Sequence, residues 1–212
     1  MKDPTAPPPN CSLCPRLAAF RADNRKKHPD WFNAPVPCFG PLSAPLAIAG
    51  LAPGLQGANR TGRPFTGDWA GDLLYETLMK SGLAKGRYEE RADDTLELIG
   101  CRIVNSVRCV PPQNKPEPSE IKNCRQFLIS ELEAMQNLKV ILALGKIAHD
   151  SVLKSLGARI AATPFVHGAV YEIGKLKLIS SYHCSRYNTN TRVLTTEMFE
   201  KVVDQAKKAA GL

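Results

Sequence analysis

At 212 residues the chain can bury a full core without disulfides, and 43% hydrophobic against 23% charged residues excludes an intrinsically disordered polymer. Its 28 Lys and Arg outnumber 20 Asp and Glu, and the formal net charge of +8 favours a polyanionic partner such as nucleic acid or an acidic membrane surface. No apolar run approaches the roughly 18 residues of a membrane span, and the proline-rich, polar start lacks the apolar core of a secretory signal. A cytoplasmic location without membrane attachment is therefore expected, and with it seven reduced cysteines rather than a disulfide framework.

In chain order, residues 1–10 are expected to be a flexible tail and residues 11–212 a single domain. Residues 14–27 have helical character, with Leu17, Ala18 and Phe20 among basic residues, and residues 28–42, rich in Pro and aromatics, read as irregular. Residues 46–51, 102–107, 140–144 and 176–181 are short apolar runs without strict alternation. That pattern fits strands covered on both faces. Helical periodicity fills the intervals. Residues 72–83 carry Leu73, Leu74, Leu78 and Leu83. Residues 119–135 align Ile121, Cys124, Phe127, Leu128, Leu132 and Met135. Residues 146–156 form a third such helix, and residues 195–209 a fourth with Met198, Phe199, Val202, Val203 and Ala206. Strands alternating with helices predict a three-layer α/β/α sandwich around a central four-stranded parallel sheet.

Ligands of such sheets bind beyond the carboxyl ends of the strands. The first strand runs into a glycine-rich stretch containing Ala52, Gly54, Gln56, Asn59 and Arg60. The second ends near Asn105, and the fourth leads to His183, Arg186 and Tyr187. The polar content of the chain thus collects at one sheet edge. Asp68, taken alone, suits a helix cap as well as an acid or base, and Phe65 suits a stacking surface or ordinary core packing. His149 and His167 read as satisfied core histidines. Cys11 and Cys14 form a Cys-x2-Cys pair, and Cys109 and Cys124 supply two more thiols. Four thiolates suit a structural zinc or a 4Fe-4S cluster, and the spacing does not separate the two. Cys38, Cys101 and Cys184 read as buried thiols.

Residue by residue, Gly50-Leu51-Ala52-Pro53-Gly54 followed by Asn59-Arg60-Thr61-Gly62-Arg63-Pro64-Phe65-Thr66-Gly67-Asp68 resembles the first motif of the uracil-DNA glycosylase superfamily, and most of all its family 5 (type b) members. Val104 through Pro112, with Asn114-Lys115-Pro116, resembles the second signature. Ser181 through Asn188 resembles the final His-containing loop, and the four cysteines match the pattern that in this family implies a 4Fe-4S cluster. The chain departs at Gln56, where many relatives carry His, and at Cys184, where many carry Pro.

The resemblance implies monofunctional hydrolysis of uracil from double- or single-stranded DNA, with hypoxanthine, xanthine and other damaged bases as further substrates. It implies that His183 donates a hydrogen bond to the departing base, that Asn105 reads the pyrimidine edge, and that Phe65 stacks on the flipped base. Asp68 or Asn59 positions water, and the backbone of Ala52 and Gly54 lines the pocket. Arg60, Arg63, Lys115 and Arg192 are expected to contact phosphates, and Arg186 and Tyr187 to enter the duplex. A monomer is expected. The rival expectation is a non-catalytic DNA-binding module stapled by a metal.

Overall fold

A computed structural model of the chain describes residues 6–212. Residues 1–5 of the expected tail lie outside the described residues. The rest of that tail is tied down. Pro7 is buried, the Cys11 amide donates to Pro8 O at 2.9 Å, and Arg25 donates to Pro9 O and Asn10 Oδ1.

The central sheet has five strands, one more than expected. Four are parallel: β1 (Leu46–Gly50), β4 (Cys101–Asn105), β5 (Val140–Leu144) and β7 (Leu176–Ser181). The fifth, β6 (Val170–Ile173), joins β7 antiparallel at the edge, so the order is β4-β1-β5-β7-β6. The two residues between β6 and β7 are Gly174 and Lys175, with Gly174 at φ 60°, a glycine-led hairpin turn. β6 alternates exposed and half-buried residues along its whole length, so it lacks the continuous apolar signature of the four parallel strands. A two-stranded hairpin of β2 (Ala84–Lys85) and β3 (Glu97–Leu98) lies outside the main sheet.

Side-chain alternation divides the core into two layers. Leu46, Ile48, Ile103, Val140, Leu142 and Ile179 face α3 (Trp69–Lys80) and α7 (Thr196–Ala210). Ala47, Ala49, Val104, Ile141, Ala143 and Leu178 face α4 (Pro118–Ala134) and α5 (Lys146–Ser155). Each fully buried aliphatic side chain of this kind contributes about 1.5–3 kcal/mol. The smaller residues of the second layer let α4 and α5 approach the sheet closely.

The helix starts are encoded locally. Pro118 occupies the first turn of α4, where its missing N–H costs nothing, and Glu117 and Glu120 form a reciprocal capping box. Glu120 also takes Arg16 of α1 (Pro15–Lys27) at 2.7 Å, which joins α1 to the start of α4. No helix among the described residues is long and apolar enough to cross a membrane.

Candidate active site

Because β4, β1, β5 and β7 are parallel, their carboxyl ends share one edge. The axes of β4 and β7 are three strand spacings apart, roughly 14 Å. Asn105 at the end of β4 and His183 just past β7 therefore face each other across room for a ligand. The intervening exits are nearly free of side chains: β1 ends at Gly50, and β5 leads to Gly145. A cavity of about 340 Å³ occupies this place, walled by Ala52, Gly54, Phe65, Asp68, Asn105 and His183. The sequence-predicted residues thus converge with one catalytic exception, Asn59.

Two glycines make the convergence possible. A Cβ on Gly50 would lie 2.4 Å from Asn105 Oδ1 and 2.9 Å from the Phe65 ring. A Cβ on Gly57 would lie 2.3 Å from Asp68 Oδ2. Any side chain at either position displaces a wall residue. Phe65 itself sits at φ 51°, a conformation that costs a bulky residue on the order of 1–3 kcal/mol and persists where surrounding structure enforces it. Its ring lies 6.0 Å from the His183 ring at an interplanar angle of 28°, a near-parallel pair lining the same cavity.

Asn105 is 3% exposed, and its Oδ1 has no hydrogen-bond partner. Buried amide oxygens are normally satisfied, so an acceptor left open beside a cavity marks a ligand position. Asp68 divides its carboxylate between two roles. It is the N-cap of α3, with Oδ1 accepting from Gly71 N at 3.1 Å, while Oδ2 is turned toward Gly54 and Gly57. Burial holds the His183 imidazole below its ordinary pKa, and the Asp68 carboxylate only partly offsets this. The ring is therefore neutral at pH 7. Asn188 Nδ2 donates to His183 O at 2.8 Å, and Cys184, wholly buried, donates its thiol to Ala70 O at the start of α3. Packing against α3 thus holds the loop at Cys184.

Asn59 stands behind the wall. It lies in α2 (Ala58–Thr61), is 1% exposed, and donates through Nδ2 to Asn33 Oδ1 at 2.9 Å. Ala58, not Asn59, meets the cavity. Gln56 is exposed and is likewise absent from the lining. Asn114 and Ser185, which fall in the matching motifs but were given no role from sequence, also line the site.

Of the expected DNA contacts, Arg60, Lys115, Arg186, Tyr187 and Arg192 are exposed. Lys115 follows the lining residue Asn114, and Arg186 follows Ser185, which places both near the mouth. Arg186 stacks on Trp69, with its guanidinium carbon 5.2 Å from the ring centroid. Trp69 is 43% exposed and was missed by sequence reasoning; its signal is only that it follows Asp68.

Arg63 is not a phosphate contact. It is 4% exposed, takes Asp94 in a bidentate pair at 2.6 and 2.7 Å, and lies 5.0 Å from the Phe39 ring centroid. Burial opposes ionisation of Asp94, but Arg63 and the backbone amides of Glu89 and Leu96 outweigh it and hold the carboxyl at about 2. The pair's contribution is present above the ordinary carboxylate range and is lost as pH falls toward 2. Arg63→Ala is expected to cost about 3–5 kcal/mol in urea unfolding at pH 7, because it strands a buried carboxylate. A loss under 1 kcal/mol would refute this structural role.

On the β4 side, Cys11, Cys14, Cys109 and Cys124 line one pocket with Leu17, Val107 and Phe127. N–H donors point at its sulfurs. Arg21 Nη1 lies 3.3 Å from Cys109 Sγ, and Arg108 N lies 3.3 Å from Cys124 Sγ. Burial pushes the free thiols up, to about 11 at Cys109 and about 12 at Cys124. Thiolates here therefore need a compensating cation. Among the described residues no three His, Cys, Asp or Glu side chains form a group fit to hold one metal ion.

A parallel α/β sandwich whose strand ends enclose an aromatic ring, an amide, a carboxylate and a neutral imidazole defines a class of protein that binds a planar polar ring and handles charge on it. A family model described as Uracil DNA glycosylase superfamily matches residues 37–207, and the chain belongs to that family. It is 46% identical over 209 residues to the Type-5 uracil-DNA glycosylase of Thermus thermophilus, covering 95% of this chain and 94% of that one. It is 39% identical over 206 residues to the Type-5 uracil-DNA glycosylase of Pyrobaculum aerophilum, covering 95% and 90%. The Type-4 uracil-DNA glycosylase of Archaeoglobus fulgidus is 33% identical over 153 residues, covering 70% and 69%.

Proposed function

We propose that this protein hydrolyses the N-glycosidic bond of uracil in DNA and leaves an abasic site. The observation that carries the reading is the single cavity that joins Phe65, Asn105, Asp68 and His183. A base inside a duplex is out of reach, so it is flipped into this cavity, at a cost of roughly a few kcal/mol that is smallest for mispaired bases. Phe65 takes its face. Asn105 Oδ1 accepts from the imide N–H of uracil, which satisfies the open acceptor, and Nδ2 donates to a neighbouring carbonyl.

As the bond stretches, electrons pass to the base and positive charge grows on the sugar. Neutral His183 donates a hydrogen bond to the base oxygen where the negative charge settles. Asp68 Oδ2 orients water toward the sugar carbon and stabilises its positive charge. The bond to nitrogen breaks, a bond to water oxygen forms, and the water proton leaves with the base or to Asp68. Hypoxanthine and xanthine, which also present a carbonyl and an adjacent ring N–H to Asn105, are further substrates in this proposal. Arg186 and Lys115 near the mouth, with the exposed Arg60 and Arg192, supply phosphate contacts to double- or single-stranded DNA, and Tyr187, 74% exposed, enters the duplex beside Arg186.

The four cysteines are proposed as ligands of a 4Fe-4S cluster. Their convergence on one pocket and the N–H donors on sulfur support a thiolate centre, and the match of the cysteine pattern to the family's favours 4Fe-4S over zinc. Bound there, the group cross-links α1, the loop after β4 and α4, and so sets the frame of the DNA face. A cytoplasmic location and a monomer belong to the same proposal, the first because the ligand thiols must stay reduced.

The test is base release from a uracil-containing duplex, comparing wild type with Asp68→Asn. Asparagine caps helices as well as aspartate does, so stability should change by less than about 1 kcal/mol. The rate should fall by about 10²–10⁴-fold, the usual contribution of a positioned acid–base group. No lysine lines the cavity among the described residues, so borohydride should trap no covalent adduct. A trapped adduct, or undiminished release by the variant, would overturn the assignment.

A further inference from the structure

Four arginines are buried among the described residues: Arg21, Arg63, Arg102 and Arg108. Three of them meet carboxylates, Arg63 at Asp94 and both Arg102 and Arg108 at Glu131. Arg21 meets none. It is 4% exposed on α1, and its charge faces sulfur instead: Nη1 donates to Cys109 Sγ at 3.3 Å. Nη2 is anchored on Cys11 O at 2.7 Å, and Nε is buried with no partner. The side chain lines the same pocket as Cys11, Cys14, Cys109 and Cys124.

A guanidinium withdrawn from water without an anion is strongly unfavourable, and removing it would be the simplest remedy. A centre of four thiolates around iron carries net negative charge and accepts N–H bonds at sulfur, and both influences tune its potential and persistence. We propose that Arg21 is the buried counter-charge of the four-cysteine centre, binding its ligand sulfur and holding the centre in its anionic, iron-loaded form. The inference rests on the cluster reading above and adds the residue that balances it. Anchoring through Cys11 O and Cys109 Sγ also makes Arg21 a bridge between both halves of the ligand set, the N-terminal pair and the loop after β4. Arg108, whose charge Glu131 already takes, contributes its backbone N–H to Cys124 and not a free cation.

The experiment compares full-length wild type with Arg21→Met, Arg21→Gln and Arg21→Lys, purified without oxygen. Lys26→Met is the control, since Lys26 is an exposed cation of the same helix. Iron and acid-labile sulfide are assayed first. Bleaching of the visible absorbance by a ferrous chelator and the cluster midpoint potential follow. Arg21→Met should bleach at least about tenfold faster than wild type. Its midpoint should fall, because removing a nearby positive charge disfavours the more negative, reduced centre.

Lysine keeps the charge and should outlast glutamine, which keeps only a donor, while the Lys26 variant should match wild type. A purely structural loss would not lower the potential or rank lysine above glutamine. Should Arg21→Met not fold, the lysine–glutamine order decides. Wild-type bleaching and potential in Arg21→Met, or glutamine outlasting lysine, overturns the role of Arg21 alone. Wild type without iron or labile sulfide overturns the cluster reading and this inference together.

Discussion

His183→Ala is expected to lower the rate of uracil release by about 10²–10³-fold, the usual cost of removing one donor from a developing oxyanion. The effect should fall on kcat more than KM, because the charge it meets exists only in the transition state. Burial has a second consequence. It holds the ring below its ordinary pKa of 6.5, so the unfolded chain takes up a proton before the folded one as pH falls. Stability supported by the neutral ring is therefore present above about pH 6.5 and declines with acidification below it. His183→Ala should flatten that acid-side decline in urea titrations. Between pH 7 and 9 the wild-type kcat should show no titration of this ring. An inflection in that range, or a variant within threefold of wild type, contradicts a neutral imidazole donor.

The second large effect separates function from stability. Asn105→Leu replaces a buried amide with an apolar group of similar volume. The wild type already bears an unsatisfied Oδ1, so the substitution should leave folding stability unchanged or raise it by about 1 kcal/mol. Activity should move the other way. With leucine present, two polar groups on the edge of uracil enter the cavity unpaired, at about 1–3 kcal/mol each, and kcat/KM should fall on the order of 10²–10⁴-fold. Thermal unfolding beside base release reads both quantities from one preparation. Loss of stability in step with activity would mean that Asn105 is a packing residue whose open oxygen has no ligand.

The legible parts of this protein share a cause. The four parallel strands are continuous apolar runs, and β5 and β7 fall on the expected boundaries at 140–144 and 176–181. Helix periodicity placed α3, α4, α5 and α7 within a few residues. The edge strand β6 stayed hidden because half of it faces water and its pattern is short. Asp68 shows that two readings of one residue can both hold, since one oxygen caps α3 while the other turns to the cavity side. Asn59 and Arg63 sit in the same motif as Phe65 and Asp68, yet neither reaches the cavity.

Contiguous sequence by itself determined which elements form, where their polar ends gather, and which thiols are available in pairs. These depend on period, capping and strand direction, all local properties. Only the tertiary structure decided which polar side chains face the ligand. Arg63 turns inward because Asp94, 31 residues away, waits there, and Asn59 is claimed by Asn33, 26 residues before it. The union of Cys11 and Cys14 with Cys109 and Cys124 likewise depends on α1 docking against α4 and the loop after β4. A charged or amide group takes the partner that best offsets its desolvation, and that partner is a fact of the folded chain rather than of its neighbours in sequence.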